Sequence, residues 1–354
     1  MPDPSQHESA PPSSLGRARS ALAVALGIAL AIGLLEVGMR QIYSLHYARD
    51  PVFGLVPQPG ETVVYGREGH GRSRWTEHGI RRASLPEAGE RPILAVGDSF
   101  TEAFNVDDDL VYTQRLETLL AETGVAIPVL NAGHSGASPA DYVADAPRLR
   151  EFFAPRWTLV QLRPGDLEEE GFEVDRTHFE RNASGALDVV RVELPVSRFN
   201  AFLAPFRSAS ALVSYGILRL KEYAAATEPP LFRAGSIAAP APVSAPQPIA
   251  DVLALLARCY EGRVTFALLP DFDLEAPAQV DSDAERIFAS ECAARGWSCV
   301  NLRDTFAEFA ARWESPYGFP NSEWNRGHMN ESGHAATALL LHAEMARLIA
   351  LDLL

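Results

Sequence analysis

Cysteine is scarce in this chain. Its 354 residues hold three, Cys259, Cys292 and Cys299, and no two are spaced as CxxC. A zinc knuckle or a thioredoxin-like redox pair needs that spacing, so neither is expected. Cys292 and Cys299 stand close enough in sequence to pair in an oxidising compartment, while a buried-thiol reading fits all three equally well. Basic residues are also few: Lys and Arg number 31 against 46 Asp and Glu, for a net charge of −15. A nucleic-acid partner is excluded on that ground, because phosphate binding needs a basic face. The acidity itself reads first as solubility. No internal repeat is present, and only one apolar run is long.

That run is "ALAVALGIALAIGLLEVGM", residues 21–39, preceded by Arg17 and Arg19 and followed by Arg40. About 20 apolar residues cross a bilayer as a helix. Basic residues on the amino-terminal side keep that side in the cytoplasm, which puts the remainder in a periplasm-like space. The single internal charge, Glu36, falls near the outer end, where headgroups and water reach it. The reading is a single-pass inner-membrane anchor at 20–40, behind a disordered, Pro/Ser-rich cytoplasmic tail at 1–19. Two alternatives stay open. Ala29-Leu30-Ala31 resembles a small-x-small cleavage site, which would make the run a signal peptide, and a soluble helix has the same composition.

Residues 41–90 are rich in Gly, Pro, Arg and Glu and predict a connecting arm with short strands only. From residue 91 to 354 the pattern is a single α/β domain. "PILAV" ends at Gly97, "IPVLNAG" (127–133) ends at a glycine, and "WTLVQLRPGD" (157–166) is a third strand. Helical spacing lies between them at 111–123, where Tyr112, Leu116, Leu119 and Leu120 recur, and at 139–153, which opens on Pro139. Strands alternating with helices of this length predict a parallel sheet. The rhythm breaks over an insertion, 172–248. It holds a hairpin at 177–195 around Ser184-Gly185, one amphipathic helix at 198–226 and a Pro/Ala-rich loop at 236–248. Phe199, Phe202 and Phe206 on that helix read as core before lid. Helix, strand, helix, strand and a long last helix complete the chain.

In parallel sheets, ligands bind beyond the carboxyl ends of the strands. Three strands end there in "GDSFT" (97–101), "NAGHSG" (131–136) and "RPGD" (163–166), and "NRGHMNESGH" (325–334) precedes the last helix. A serine at one tip and a histidine from a late loop suit acyl transfer: Ser99 attacks a carbonyl and His328 takes its proton. Backbone N–H groups of Ser99 and Gly133 would hold the oxyanion. Asp98 reads as the residue that holds the turn, Asn330 as one that orders the late loop, and His334 as part of the last helix.

In this order the blocks resemble the SGNH/GDSL hydrolases, over about 250 residues by block spacing. "LEVGMR" and "GFPNSEWNRGHMNESGH" (318–334) look similar to a bacterial subgroup with an amino-terminal membrane helix. The resemblance implies a three-layer, flavodoxin-like α/β fold with a parallel sheet. It also implies a serine esterase or O-acyltransferase that forms an acyl-Ser99 outside the cytoplasm, with an acylated small molecule or glycan as substrate and neither cofactor nor metal. Two positions depart from the family's pattern. Where its third block has Asn before Asp, this chain has Gly165-Asp166 and offers a backbone N–H. Where it has Asp two or three residues before the histidine, this chain has Arg326 and Asn325, of which Asn325 could orient the ring; Glu323 and Glu331 are the acids near in sequence. These departures keep a second reading open, an acyl- or glycan-binding component of an envelope complex without turnover. Three further features are set aside. "GHSGA" around Ser135 lacks the last glycine of a nucleophile elbow. "DRTH" (175–178) reads as surface chemistry, and His328, Glu331 and His334 lack metal-site spacing.

Overall fold

The computed structural model describes residues 14–50, 54–60, 62–87, 89–168, 177–191, 198–227, 249–272, 274, 282–312 and 314–354. Most of the expected tail, and the whole Pro/Ala-rich loop at 236–248, lie outside the described residues. Helix α1 (Ser14–Arg40) carries the apolar run. Its stretch Ala18–Arg40 is long and apolar enough to cross a membrane, and its apolar window is not buried against the chain. The arm forms short strands, as its composition predicts: β1 (Tyr47–Asp50) pairs antiparallel with β2 (Gly54–Pro57), and β3 (Thr62–Tyr65) with β4 (Gly71–Arg74).

The α/β alternation then follows as β5 (Ile93–Val96), α2 (Ser99–Glu102), α3 (Tyr112–Glu122), β6 (Val129–Asn131), α4 (Pro139–Phe153), β7 (Trp157–Leu162) and α5 (Pro164–Glu168). The insertion supplies the hairpin β8 (His178–Arg181) and β9 (Leu187–Val190), then α6 (Arg198–Ala209) and α7 (Ala211–Thr227). The alternation resumes as α8 (Ile249–Cys259), β10 (Val264–Leu268), α9 (Asp283–Arg295), β11 (Ser298–Asn301), α10 (Arg303–Ala310) and α11 (Glu331–Ala350). The main sheet runs β6-β5-β7-β10-β11 with every neighbouring pair parallel. Its order is that of flavodoxin-like, doubly wound sheets. All four residues of β5 are buried. Ile93 and Ala95 join a core with residues of α3, α10 and α11, whereas Leu94 and Val96 join one with α4, α8 and α9. Helices on both faces explain why this strand is apolar throughout rather than alternating.

Boundaries follow local chemistry. Helix α4 begins where Ser138 and Asp141 form a capping box, with Pro139 in the first turn. Two expectations need correction. Residues 198–226 form two helices, because the chain breaks at Ser210 between α6 and α7. Phe202 and Phe206 are exposed rather than core. Cys292 and Cys299 form a disulfide that ties α9 to β11, and Cys259 is a free, half-buried thiol.

His334 is a packing residue of α11. Its ring stacks on Tyr112 at 6.0 Å, and Nδ1 accepts the Tyr112 N–H at 3.4 Å. Burial, reinforced by the positive charges of Arg81, Arg115 and His328, pushes its pKa down from 6.5 to about 3. The unfolded chain therefore binds one more proton than the native one between those values. This ring's contribution to stability is complete above pH 6.5 and is lost as pH falls toward 3. Denaturant melts of the full chain should lose about 2 kcal/mol between pH 7 and pH 5 from this group. His334→Gln should flatten that slope; an unchanged slope would assign the pH dependence elsewhere.

Candidate active site

Strand β5 ends at Val96, and its continuation turns sharply into α2. Asp98, not Ser99, is the N-cap of that helix: its Oδ1 accepts the Phe100 N–H at 2.8 Å. The Asp98 N–H donates to Gln161 Oε1 of β7 at 3.2 Å, and Arg163 Nε lies 3.3 Å from its Oδ2. Asp98 thus holds the turn, which leaves Ser99 as the first helical residue. The β6 tip is locked onto the same turn. Asn131 Nδ2 donates to Thr101 O at 2.6 Å, and its Oδ1 accepts the Gly133 N–H at 3.0 Å. A Cβ on Gly133 would stand 2.3 Å from Glu102 N and 2.7 Å from Thr101 C. Both are backbone atoms that cannot swing aside, so only glycine lets the two turns meet. Gly133→Ala should cost about 2–3 kcal/mol, the upper part of the range for overpacking. An unchanged melting midpoint would refute this close approach.

Ser99 and His328 are brought together. His328 Nε2 lies 2.9 Å from Ser99 Oγ. The group behind the ring is Glu68, from the arm: its Oε2 is 2.7 Å from His328 Nδ1, and its Oε1 accepts the His328 backbone N–H at 2.8 Å. With Nδ1–H donated to the carboxylate, Nε2 is left to accept the serine O–H. Burial alone would raise the Glu68 carboxyl. The hydrogen bonds from the His328 ring and backbone, with the charges of His328 and Arg67, outweigh it and hold the pKa below the ordinary carboxylate value. Glu68 is itself fixed. Asn105 Nδ2 donates to its carbonyl at 2.9 Å, and Asn321 grips the next residue by accepting the Gly69 N–H and donating to the Gly69 carbonyl, both at 2.8 Å. On the histidine side, the Gly318 N–H donates to His328 O at 2.9 Å, and the Phe100 ring lies 5.0 Å from the imidazole.

The acid was the residue sequence reasoning missed. It stands 260 residues before the histidine rather than beside it. Asn325 does not touch the ring; its Oδ1 accepts from Ser315 Oγ at 2.8 Å. Glu323 is exposed and Glu331 opens α11. Asn330 orders the loop: its Oδ1 caps α11 through the N–H groups of Ser332 and Gly333, and its Nδ2 donates to Ser315 O at 2.7 Å. Gly327, just before His328, has φ +82°, and a Cβ there would stand 2.3 Å from Glu68 Oε1.

Ser99 and His328 open into a cleft of about 340 Å³, also lined by Ser135, Gly136, Asn105 and Arg67 and walled by Tyr43, Leu45, Tyr47, Tyr65, Phe104 and Leu218. Gly133 and Gly165, two of the expected oxyanion positions, are not among its lining residues. The Gly133 N–H is spent on Asn131, and Gly165 belongs to the first turn of α5. The glycine that does line the cleft is Gly136, at φ +78°. Among the described residues, neither the Ser99 N–H nor the Gly136 N–H donates to another group. Ser135 is no second nucleophile. Its N–H donates to Glu102 Oε2 at 2.8 Å and its hydroxyl to the same oxygen. Burial raises the Glu102 carboxyl, against the opposing pull of His134, Ser135 and Arg81. His178 pairs with Glu180 at 3.0 Å, and Asp175 lies outside the described residues. Beyond Ser135 and Gly136, a second and more polar cavity of about 440 Å³ is lined by His78, His134, Asp141, Asp145, Arg148 and Arg191, among others.

No family model and no curated protein matches the chain. Solved structures do. A catalytic mutant of Axe2, an acetylxylan esterase from Geobacillus stearothermophilus, aligns at 16% identity and TM-score 0.40, over 74% of this chain and 96% of that one. The psychrotrophic esterase EstA from Pseudoalteromonas sp. aligns at 12% and 0.39, over 74% and 100%. A member of the lipolytic protein G-D-S-L family from Veillonella parvula aligns at 10% and 0.38, over 73% and 99%. The fold and the chemistry argued for this chain rest on its own residues. The sheet order of this chain is the flavodoxin-like one that the resemblance of its sequence blocks to the SGNH/GDSL hydrolases implies.

Proposed function

We propose that the protein is a serine esterase or O-acyltransferase of the SGNH type. The observation that carries this reading is the unbroken relay from Ser99 Oγ through His328 to the Glu68 carboxylate, with contacts of 2.9 and 2.7 Å. Ser99 Oγ attacks the ester carbonyl as His328 Nε2 takes its proton, and Glu68 stabilises the imidazolium that forms. The N–H groups of Ser99 and Gly136 receive the oxyanion. His328 then returns the proton to the departing alcohol, leaving acyl-Ser99. Water, or a sugar hydroxyl, takes the acyl group in the reverse sequence. The apolar wall of the cleft suits the acyl group, and the polar cavity past Gly136 suits a glycan. With Glu68 in place, the missing acid that favoured an inert binding module is supplied from the arm.

The site acts outside the cytoplasm, in the periplasm of a single-pass inner-membrane protein. Supporting this are Arg17 and Arg19 ahead of the apolar run, the disulfide, which suits an oxidising compartment, and hydrogen bonds from α1 into the folded insertion, which a cleaved signal peptide would not make. A serine-reactive fluorophosphonate probe tests the chemistry. It should label Ser99 in the native chain and fail to do so in His328→Ala. Labelling unchanged by that substitution, or none in the native chain, would refute the relay.

A further inference from the structure

The last turn of α1 does more than end a hydrophobic run. Glu36 accepts from Ser210 Oγ at 2.7 Å, from the Ala211 N–H at 2.9 Å and from the Leu212 N–H at 3.1 Å, so it caps the start of α7. Arg40 Nη2 donates to Ala209 O at 3.0 Å, at the end of α6, while its Nε donates to Glu36 at 2.8 Å. One ion pair on α1 therefore answers both the orphan carbonyl of α6 and the orphan amides of α7. The α6–α7 junction is clasped to the membrane helix at a fixed level. At 1.5 Å per residue, the rise from Ala18 to Glu36 is about 27 Å, close to the thickness of a bilayer's hydrocarbon core.

Helix α6, which ends at this junction, presents apolar surface. Phe202 and Phe206, one turn apart with rings 5.6 Å from each other, are 66% and 53% exposed. Leu34, Leu35 and Val37, around Glu36 on α1, are exposed as well. The α6–α7 junction thus adjoins the exposed apolar part of the anchor. We infer that α6–α7 lies in the interfacial layer of the membrane that α1 crosses, with Phe202 and Phe206 among the lipid headgroups and upper chains. Interfacial helices sink their apolar faces about 5–10 Å in this way. Leu218 of α7 also lines the cleft that holds Ser99, so the cleft borders the bilayer surface.

The inference rests on α1 crossing a bilayer and not on Ser99 turning over, so the two fail separately. The test uses the full chain with Cys259→Ala, reconstituted in phosphatidylcholine/phosphatidylglycerol vesicles. Phe202→Cys or Phe206→Cys carries an environment-sensitive fluorophore, and nitroxide lipids act as quencher. Glu122→Cys, exposed at the far end of α3, is the negative control and Leu30→Cys the positive one. At least twofold quenching at 202 and 206, with none at 122, is expected. If 202 and 206 behave like 122 while 30 is quenched, the face is covered by something other than lipid, a second copy or a protein, and the inference is overturned. It is equally overturned if position 30 is not quenched. Both phenylalanines are exposed, so neither substitution threatens folding.

Discussion

Ser99→Ala should lower kcat on short p-nitrophenyl acyl esters by about a million-fold, the scale seen when an activated serine is lost. The reason is chemical rather than structural. The Ser99 hydroxyl makes one hydrogen bond, to His328 Nε2, and the turn that presents it is held by Asp98, Gln161 and Asn131. Alanine keeps that turn and its N–H groups but has no oxygen to acylate. The melting midpoint should stay nearly unchanged while turnover disappears. Equal rates in the two proteins would rule out an acyl-Ser99 route, and a collapsed fold would show that Ser99 is part of the scaffold.

Glu68→Gln should lower kcat by about 1,000- to 10,000-fold, as for loss of the charge behind a catalytic histidine. Two effects combine. An amide NH₂ turned toward the ring donates to Nδ1, so Nε2 must carry the proton and can no longer accept the one from Ser99. An amide turned the other way keeps the tautomer but cannot stabilise the imidazolium by charge. KM should change little, because Glu68 sits behind the ring and is not among the residues that line the cleft. Glu68→Asp, which restores the charge on a shorter arm, should recover part of kcat; a merely structural role would show no such recovery. The depressed pKa adds a sign. Glu68 contributes its full stabilisation above the ordinary value of 4.5, and that contribution disappears as pH falls through its lower folded-state pKa. Activity that is equal in Glu68→Gln and the native chain would leave Ser99 and His328 as a dyad.

Patterns of short range were legible in the chain. The apolar run of β5 stopping at Gly97, the helix from Pro139 to Phe153 and the final helix all follow from periodicity, caps and glycine. Each is settled by neighbours a few residues away. The turn that carries Ser99 and the late histidine were legible for the same reason, since each lies in its own compact block. Within one such block the glycine that lines the cleft is Gly136, where the expectation was Gly133. Gly133 and Gly136 both stand in "NAGHSG", and only the contact of Gly133 with the backbone of α2 shows that it serves packing.

Glu68 was not legible. Among 46 acidic residues, one glutamate of several in the arm has no periodicity or spacing to mark it. Its role arises when Asn105 and Asn321, far apart in sequence, pin the arm against the loop that carries His328. The same holds for Glu36, which read as a charge at the outer end of an apolar helix and caps another helix. By itself the sequence determined the parallel α/β order, the apolar first helix and the positions of Ser99 and His328, because local pattern specifies secondary structure and its turns. The tertiary structure alone decided which acid stands behind the histidine, which glycine faces the cleft and what holds the insertion to α1. Those depend on where distant segments meet, and a hydrogen bond across 260 residues leaves no pattern in the order of the chain.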